Sequence, residues 1–114
     1  MYLPAHFEQP DEQVMTALMA EHPLCAIVSN GAQGLTADHV PLEWDAASRT
    51  LRGHVARANP LWRDAGGTAV LAIFRGPQAY VSPSWYPSKA ATHKVVPTWN
   101  YAVVHAHGTL HAVD

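Results

Sequence analysis

One cysteine stands among 114 residues, Cys25, so the chain can form no internal disulfide. It lies in the apolar run Leu24-Cys25-Ala26-Ile27-Val28, where a small buried core residue is expected rather than a reactive thiol. Charge of either sign is scarce. Seven Lys and Arg against nine Asp and Glu leave a formal net charge of -2 and a pI near 6.4. A protein that holds DNA by neutralising phosphates shows a basic surface, and these few cations, spread along the chain, do not suggest one. No apolar stretch approaches membrane-spanning length. The start, Met1-Tyr2-Leu3-Pro4, has neither a basic region nor a long apolar run, so a cytoplasmic location is the default expectation. A nucleotide-binding glycine motif, a zinc motif and a Ser-His-Asp arrangement are all missing, and Gly31 with Gly34 is too sparse to count. What is plentiful is apolar residues, at 48%, and histidine, at eight. The composition is globular and the length fits one small domain, for which an oligomer is reasonable.

Asp11 can cap a helix running to about His22, with Val14, Met15, Leu18 and Met19 on one face and Pro23 as its stop. Residues 24–29 read as a buried strand closed by the turn signal Asn30-Gly31. A second strand covers 35–43, with Pro41 arguing for an edge or a bulge. A third covers 51–57. Asn59-Pro60 opens a short helical turn that ends at Gly66-Gly67. Residues 68–74 are apolar on both faces and read as a central strand. Gly76-Pro77 reads as a turn, and 78–82 as a fifth strand. An irregular stretch follows, and the last strand runs from about Thr98 to Val113. One N-terminal helix and about six strands with short links predict a mainly β fold, an antiparallel barrel closed or partly closed to hide its edges.

Three segments could carry chemistry. In Arg52-Gly53-His54-Val55-Ala56-Arg57-Ala58-Asn59-Pro60, basic groups stand at a strand end just before a helical turn. Arginine suits bidentate phosphate contact and a helix start offers backbone N–H groups, so the segment reads as a phosphate cradle or as a solvated strand end. The segment from Gly76 to Tyr86 joins hydroxyls, two Tyr and Trp85 around two Pro. It can offer stacking faces to a planar ligand, or simply cover a barrel end. In the last strand, Ala102, Val104, Ala106, Gly108, Leu110 and Ala112 make an apolar face. Trp99, Tyr101, Val103, His105, His107, Thr109 and His111 make the opposite one. His105 and His107 have a spacing that can chelate a transition metal, but no third ligand is evident. A half-buried polar face or a subunit interface fits better.

Several segments, in order, resemble one known family. They are Met1-Tyr2-Leu3-Pro4-Ala5-His6-Phe7, His39-Val40-Pro41-Leu42, Gly53 to Pro60, Gly76 to Tyr86, and Val96-Pro97-Thr98-Trp99-Asn100-Tyr101. The chain is similar, over essentially its whole length, to FMN-binding negative transcriptional regulators of the protease-synthesis and sporulation type. These belong with the pyridoxine-phosphate-oxidase-like flavin split barrels. The resemblance implies an FMN-binding split barrel and a homodimer with flavin near the subunit interface. Family members are longer, so this chain would correspond to their N-terminal portion. The matching positions are Arg52, His54, Arg57 and Asn59 for phosphate and ribityl contacts. Ser82, Trp85 and Lys89 would lie beside the ligand, and Trp99, Asn100 and Tyr101 form the late motif.

Three functions follow as expectations: a flavin-binding domain, redox enzyme or sensor; a transcriptional repressor; and a haem or metal binder motivated by the histidines. The acidic balance and the missing helix-turn-helix pattern count against direct DNA contact by this chain. No residue stands out as a general acid or base, so no catalytic residue is nominated.

Overall fold

A computed structural model describes residues 1–82 and 98–113. A 3-10 turn at Ala5–Phe7 precedes helix α1, Glu12–Glu21. The Asp11 carboxylate caps α1 by accepting from the Gln13 amide at 2.9 Å, as its sequence position predicts. Met19 is buried, and Met15 and Leu18 are half-buried on the same face.

Six strands follow: β1 Leu24–Gly31, β2 Gly34–Pro41, β3 Glu43–Asp45, β4 Thr50–Arg52, β5 Ala69–Val81 and β6 Thr98–Thr109. A one-turn helix, α2, spans Leu61–Asp64. The main sheet has the order β2-β1-β5-β6 and is antiparallel throughout, while β3 and β4 form a separate hairpin. Among the described residues the fold is therefore mainly β with one substantial helix, as expected. Among the described residues the sheet is open and does not close into a barrel.

The strand boundaries differ from expectation in instructive ways. The second strand breaks in two at Pro41, which has no N–H for the ladder. Leu42 then turns its N–H to Pro23 O, at 3.0 Å. The third strand is only Thr50–Arg52. At Gly53 a Cβ would stand 2.7 Å from Pro41 O, so the backbone passes hard against the end of β2 and leaves the hairpin there. Strands expected at 68–74 and 78–82 are one, β5. Gly76-Pro77 is absorbed as a bulge, the register shifting between Arg75 and Gln78. The last strand ends at Thr109 because the next residue ties back across the chain. Leu110 N donates to Thr68 O at 3.0 Å, and Gly67 N donates to Leu110 O at 2.7 Å.

Alternation along the strands sets the core. Cys25 and Ile27 of β1, Val40 of β2, and Ala72 and Phe74 of β5 face inward and are buried. Met19 of α1 with Leu61 and Ala65 around α2 cover them, together with half-buried Trp44, Leu51, Val55, Val104, Ala106 and Leu110. Residues 68–74 are indeed central, flanked by β1 and β6. The opposite face of the sheet carries Leu24, Ala26, Val28, Leu35, Leu71, Ile73, Val103 and His105, of which Leu24 and Leu35 are exposed.

Beyond the bulge, β5 and β6 leave the four-stranded sheet and continue as a two-stranded arm, Gln78–Val81 against Thr98–Tyr101. The radius of gyration is 18.0 Å with extents of 61 × 33 × 22 Å. A compact domain of this length would have about 13 Å.

Candidate functional site

The segment from Arg52 to Asn59 links the β3–β4 hairpin to α2. Arg52 is spoken for: its guanidinium donates to Asp45 Oδ2 at 2.9 Å and to Ser48 Oγ at 3.4 Å. Asp45 is the organiser of that turn. Bonds from the Ser48 hydroxyl and amide, then from Ala47, with Arg52 alongside, hold its carboxyl below the usual range. His54 and Arg57 are exposed. The Arg57 carbonyl accepts from Trp62 Nε1 at 2.9 Å, which fixes the backbone just ahead of α2.

Asn59 has a double role. Its Oδ1 accepts from Leu61 N at 2.9 Å, capping α2, and its Nδ2 donates to Asp38 Oδ1 at 3.1 Å. Asp38 lies on the inward face of β2, opposite Ile27. Sequence reasoning missed this pair. The signal was available: Asp38 shares the parity of buried Val40, and an inward carboxylate requires a donor.

The late motif lies elsewhere. Trp99 pairs with Tyr80 and Tyr101 with Gln78 across the arm. The Tyr80 and Trp99 rings are tilted with centroids 5.9 Å apart, and Trp99 Nε1 donates to Gln78 Oε1 at 3.0 Å. Three exposed rings, Tyr80, Trp99 and Tyr101, thus share one face. At its base is an open hollow of ≈ 200 Å³ lined by Arg75, Gly76, Gln78, Trp99, Tyr101, Ala102 and Val103. Asn100 stands opposite Ala79 on the other face, and Ser82 is half-buried just past β5. Trp85 and Lys89 lie outside the described residues.

Two groups of candidates therefore exist within one protomer, and they are far apart. Asn59 bonds Asp38, whose row crosses β5 at Ala72, and Trp99 pairs with Tyr80 eight residues further along β5. At about 3.4 Å per residue the separation is on the order of 25 Å. By alternation on β6, Trp99 and Tyr101 also share the side of Val103 and His105, away from core-facing Val104 and Ala106.

His105 is half-buried and His107 exposed on that same outer side. Among the described residues no group of three or more His, Cys, Asp or Glu stands close enough to hold a metal ion. The Cys25 thiol is buried and donates to Val40 O at 3.3 Å, and burial pushes its pKa up, as befits a core residue. No described helix is long and apolar enough to cross a membrane.

An antiparallel, mainly β domain with a basic strand-to-helix connection and an aromatic arm is the class these features define. The family described as "Putative FMN-binding domain" matches residues 1–114, and the chain belongs to it. An uncharacterised protein of Saccharomyces cerevisiae is 33% identical over 96% of this chain and 77% of its own length. The protease synthase and sporulation protein PAI 2 of Bacillus subtilis is 33% identical over 95% of this chain and 51% of its own. An uncharacterised protein of Emericella nidulans is likewise 33% identical, over 96% and 56%. The chain thus spans about half the length of the last two.

Proposed function

We propose that this protein binds FMN, with the phosphate held at the connection between β4 and α2, and that it works as a homodimer. Family membership over the whole chain carries the flavin reading. The donor set fits a phosphate. Arg57 and His54 are exposed there, and the Trp62 and Asn59 bonds hold the backbone that presents them. Arg57 is the principal phosphate ligand on this reading, because it stands directly before α2, where the Trp62 bond fixes its backbone, whereas Arg52 lies back on β4. FMN supplies the electron-carrying ring when bound, and the protein's part is to bind and orient it. Trp99, Asn100 and Tyr101 lie on the arm, about 25 Å along β5 from the Asn59 row within one protomer, so on this reading they reach the flavin site across the contact between copies.

A regulatory output, which the sporulation relative's name suggests, would on this reading come from the assembled protein. The net charge of -2 counts against direct DNA contact by this chain.

Titration of FMN and riboflavin tests the site. A charge-assisted bond contributes roughly 1.5–3 kcal/mol. Arg57→Ala should therefore weaken FMN by about tenfold or more, leaving riboflavin, which has no phosphate, unchanged. Arg52→Ala should affect FMN less. Equal losses for both ligands would remove Arg57 from the phosphate site, and failure of the native protein to bind either would overturn the flavin reading. The absorbance spectrum of the purified protein separates flavin bands from the Soret band of a haem protein.

A further inference from the structure

The N-terminal segment is apolar, shaped and uncovered. Tyr2 is 89% exposed and Phe7 70%, with Met1 and Leu3 also exposed. The segment is nonetheless folded locally: Phe7 N donates to Pro4 O at 2.9 Å and Glu8 N to Ala5 O at 3.2 Å, and the His6 and Phe7 rings touch. A run of large apolar side chains exposed together marks an interaction surface.

The arm offers the complementary surface. Its three rings are exposed, and the hollow beside Trp99 and Tyr101 is open. The thirteen residues of β5 and the twelve of β6 hold one formal charge, Arg75, on the rim of that hollow. On the segment's side, Glu8 stands at the end of the apolar run, and residues 1–11 hold no Lys or Arg.

Within one chain the two surfaces both stay exposed. The segment leads into α1, which packs on the inner side of the sheet through Met19 and Leu18, with Leu18 against Gly76. The rings of Trp99 and Tyr101 lie on the outer side, across the sheet.

We propose that residues 1–8 of one copy dock on the β5–β6 arm of a second copy, an aromatic ring of the segment seated in the hollow and Glu8 beside Arg75. The exchange is reciprocal, so two segments and two arms close one two-fold dimer. This rests on the dimer reading above and not on the flavin.

Sedimentation velocity of the full chain tests it. Tyr2→Ser/Phe7→Ser removes the segment's rings, and Arg75→Ser/Tyr101→Ser alters the hollow. The native protein should be a dimer. Each double variant should raise the dissociation constant by about tenfold or more, as loss of central aromatic contacts does. Far-UV circular dichroism and a Cys25 closed to thiol reagents certify folding. Mixing the two variants is the decisive arm. The mixed pair regains one intact segment-on-arm contact, whereas each self-pair has none, so the mixture should dimerise more tightly than either alone. A native monomer overturns the dimer reading and this proposal with it. A native dimer with unchanged variants, or no gain on mixing, overturns the docking alone.

Discussion

Strands β5 and β6 run through both the inner face of the sheet and the arm, yet the two regions are held in different ways. On the inner face, Phe74 is fully buried between β1 and β6 and covered by helix and hairpin. Six residues further along β5, Tyr80 is 46% exposed and its ring lies 5.9 Å from that of its cross-strand neighbour Trp99. A two-stranded ribbon is marginal alone in water, so the arm depends on what covers it, while the sheet does not. The hairpin of β3 and β4 sharpens the point. It is also two-stranded, but Trp44 and Leu51 pack on the core, and Arg49 joins it to α1 through Glu12 at 2.7 Å.

The largest effect should separate the two ends of β5. Phe74→Ala removes a fully buried ring and should cost about 3–5 kcal/mol in urea unfolding. Tyr80→Ala, measured on the monomer at high dilution, should cost less than about 1 kcal/mol. Comparable losses would mean the arm is part of the cooperative core.

A second contrast concerns backbone packing. A Cβ at Gly31 would collide with Asp64 O, where the β1–β2 turn meets α2. That oxygen is main chain and cannot swing away, so Gly31→Ala should cost roughly 1–3 kcal/mol. Gly108, near the end of β6, has nothing within 4 Å of its Cβ position. Gly108→Ala should be neutral or stabilise by about 0.5 kcal/mol through the unfolded chain. Equal thermal shifts for the two would show that close contact with α2 is not what restrains Gly31.

Much of the fold was legible because its determinants are local. Asp11 capping α1, the alternation that aims Val104 and Ala106 inward, and the two-faced apolar run of β5 all follow from period and residue type. Gly76-Pro77 misled because two strand breakers in succession look like a turn. Here the paired strand β6 runs on past them, and a bulge costs less than ending the ladder. Closure of a barrel was not legible, since it depends on pairings between strands far apart in sequence. Of the candidate site, the basic strand end was readable. That Arg52 would turn to Asp45 was not. The pairing depends on the β3–β4 register, which sets Glu43 against Arg52 and the turn at Asp45. The distance between Asn59 and Trp99 is likewise a property of the sheet, invisible in a linear motif order.

The smallest effect should come from Asp45, and it tests whether the hairpin is held by its own turn or by the core beneath. Asp45 accepts from Ala47 N at 3.0 Å and from Arg52 at 2.9 Å, and bonds from Ser48 do most to lower its pKa. A carboxyl that ionises more readily folded than unfolded stabilises the fold only while ionised. Its contribution is present above the unfolded carboxylate value, about 3.9, and is lost as pH falls through the lower folded value. Asp45→Asn keeps the size but forfeits the charge. The native protein should therefore be the more stable of the two at neutral pH, and the gap should close as pH is lowered below about 4. Because Arg52 is two-thirds exposed, solvent screens the ion pair and added salt should narrow the gap only slightly. Urea midpoints for both proteins across that range decide it. A gap that stays constant to the lowest pH would mean that the Asn amide merely disturbs the turn's geometry. A gap absent at neutral pH would mean that Trp44 and Leu51 hold the hairpin without help from Asp45.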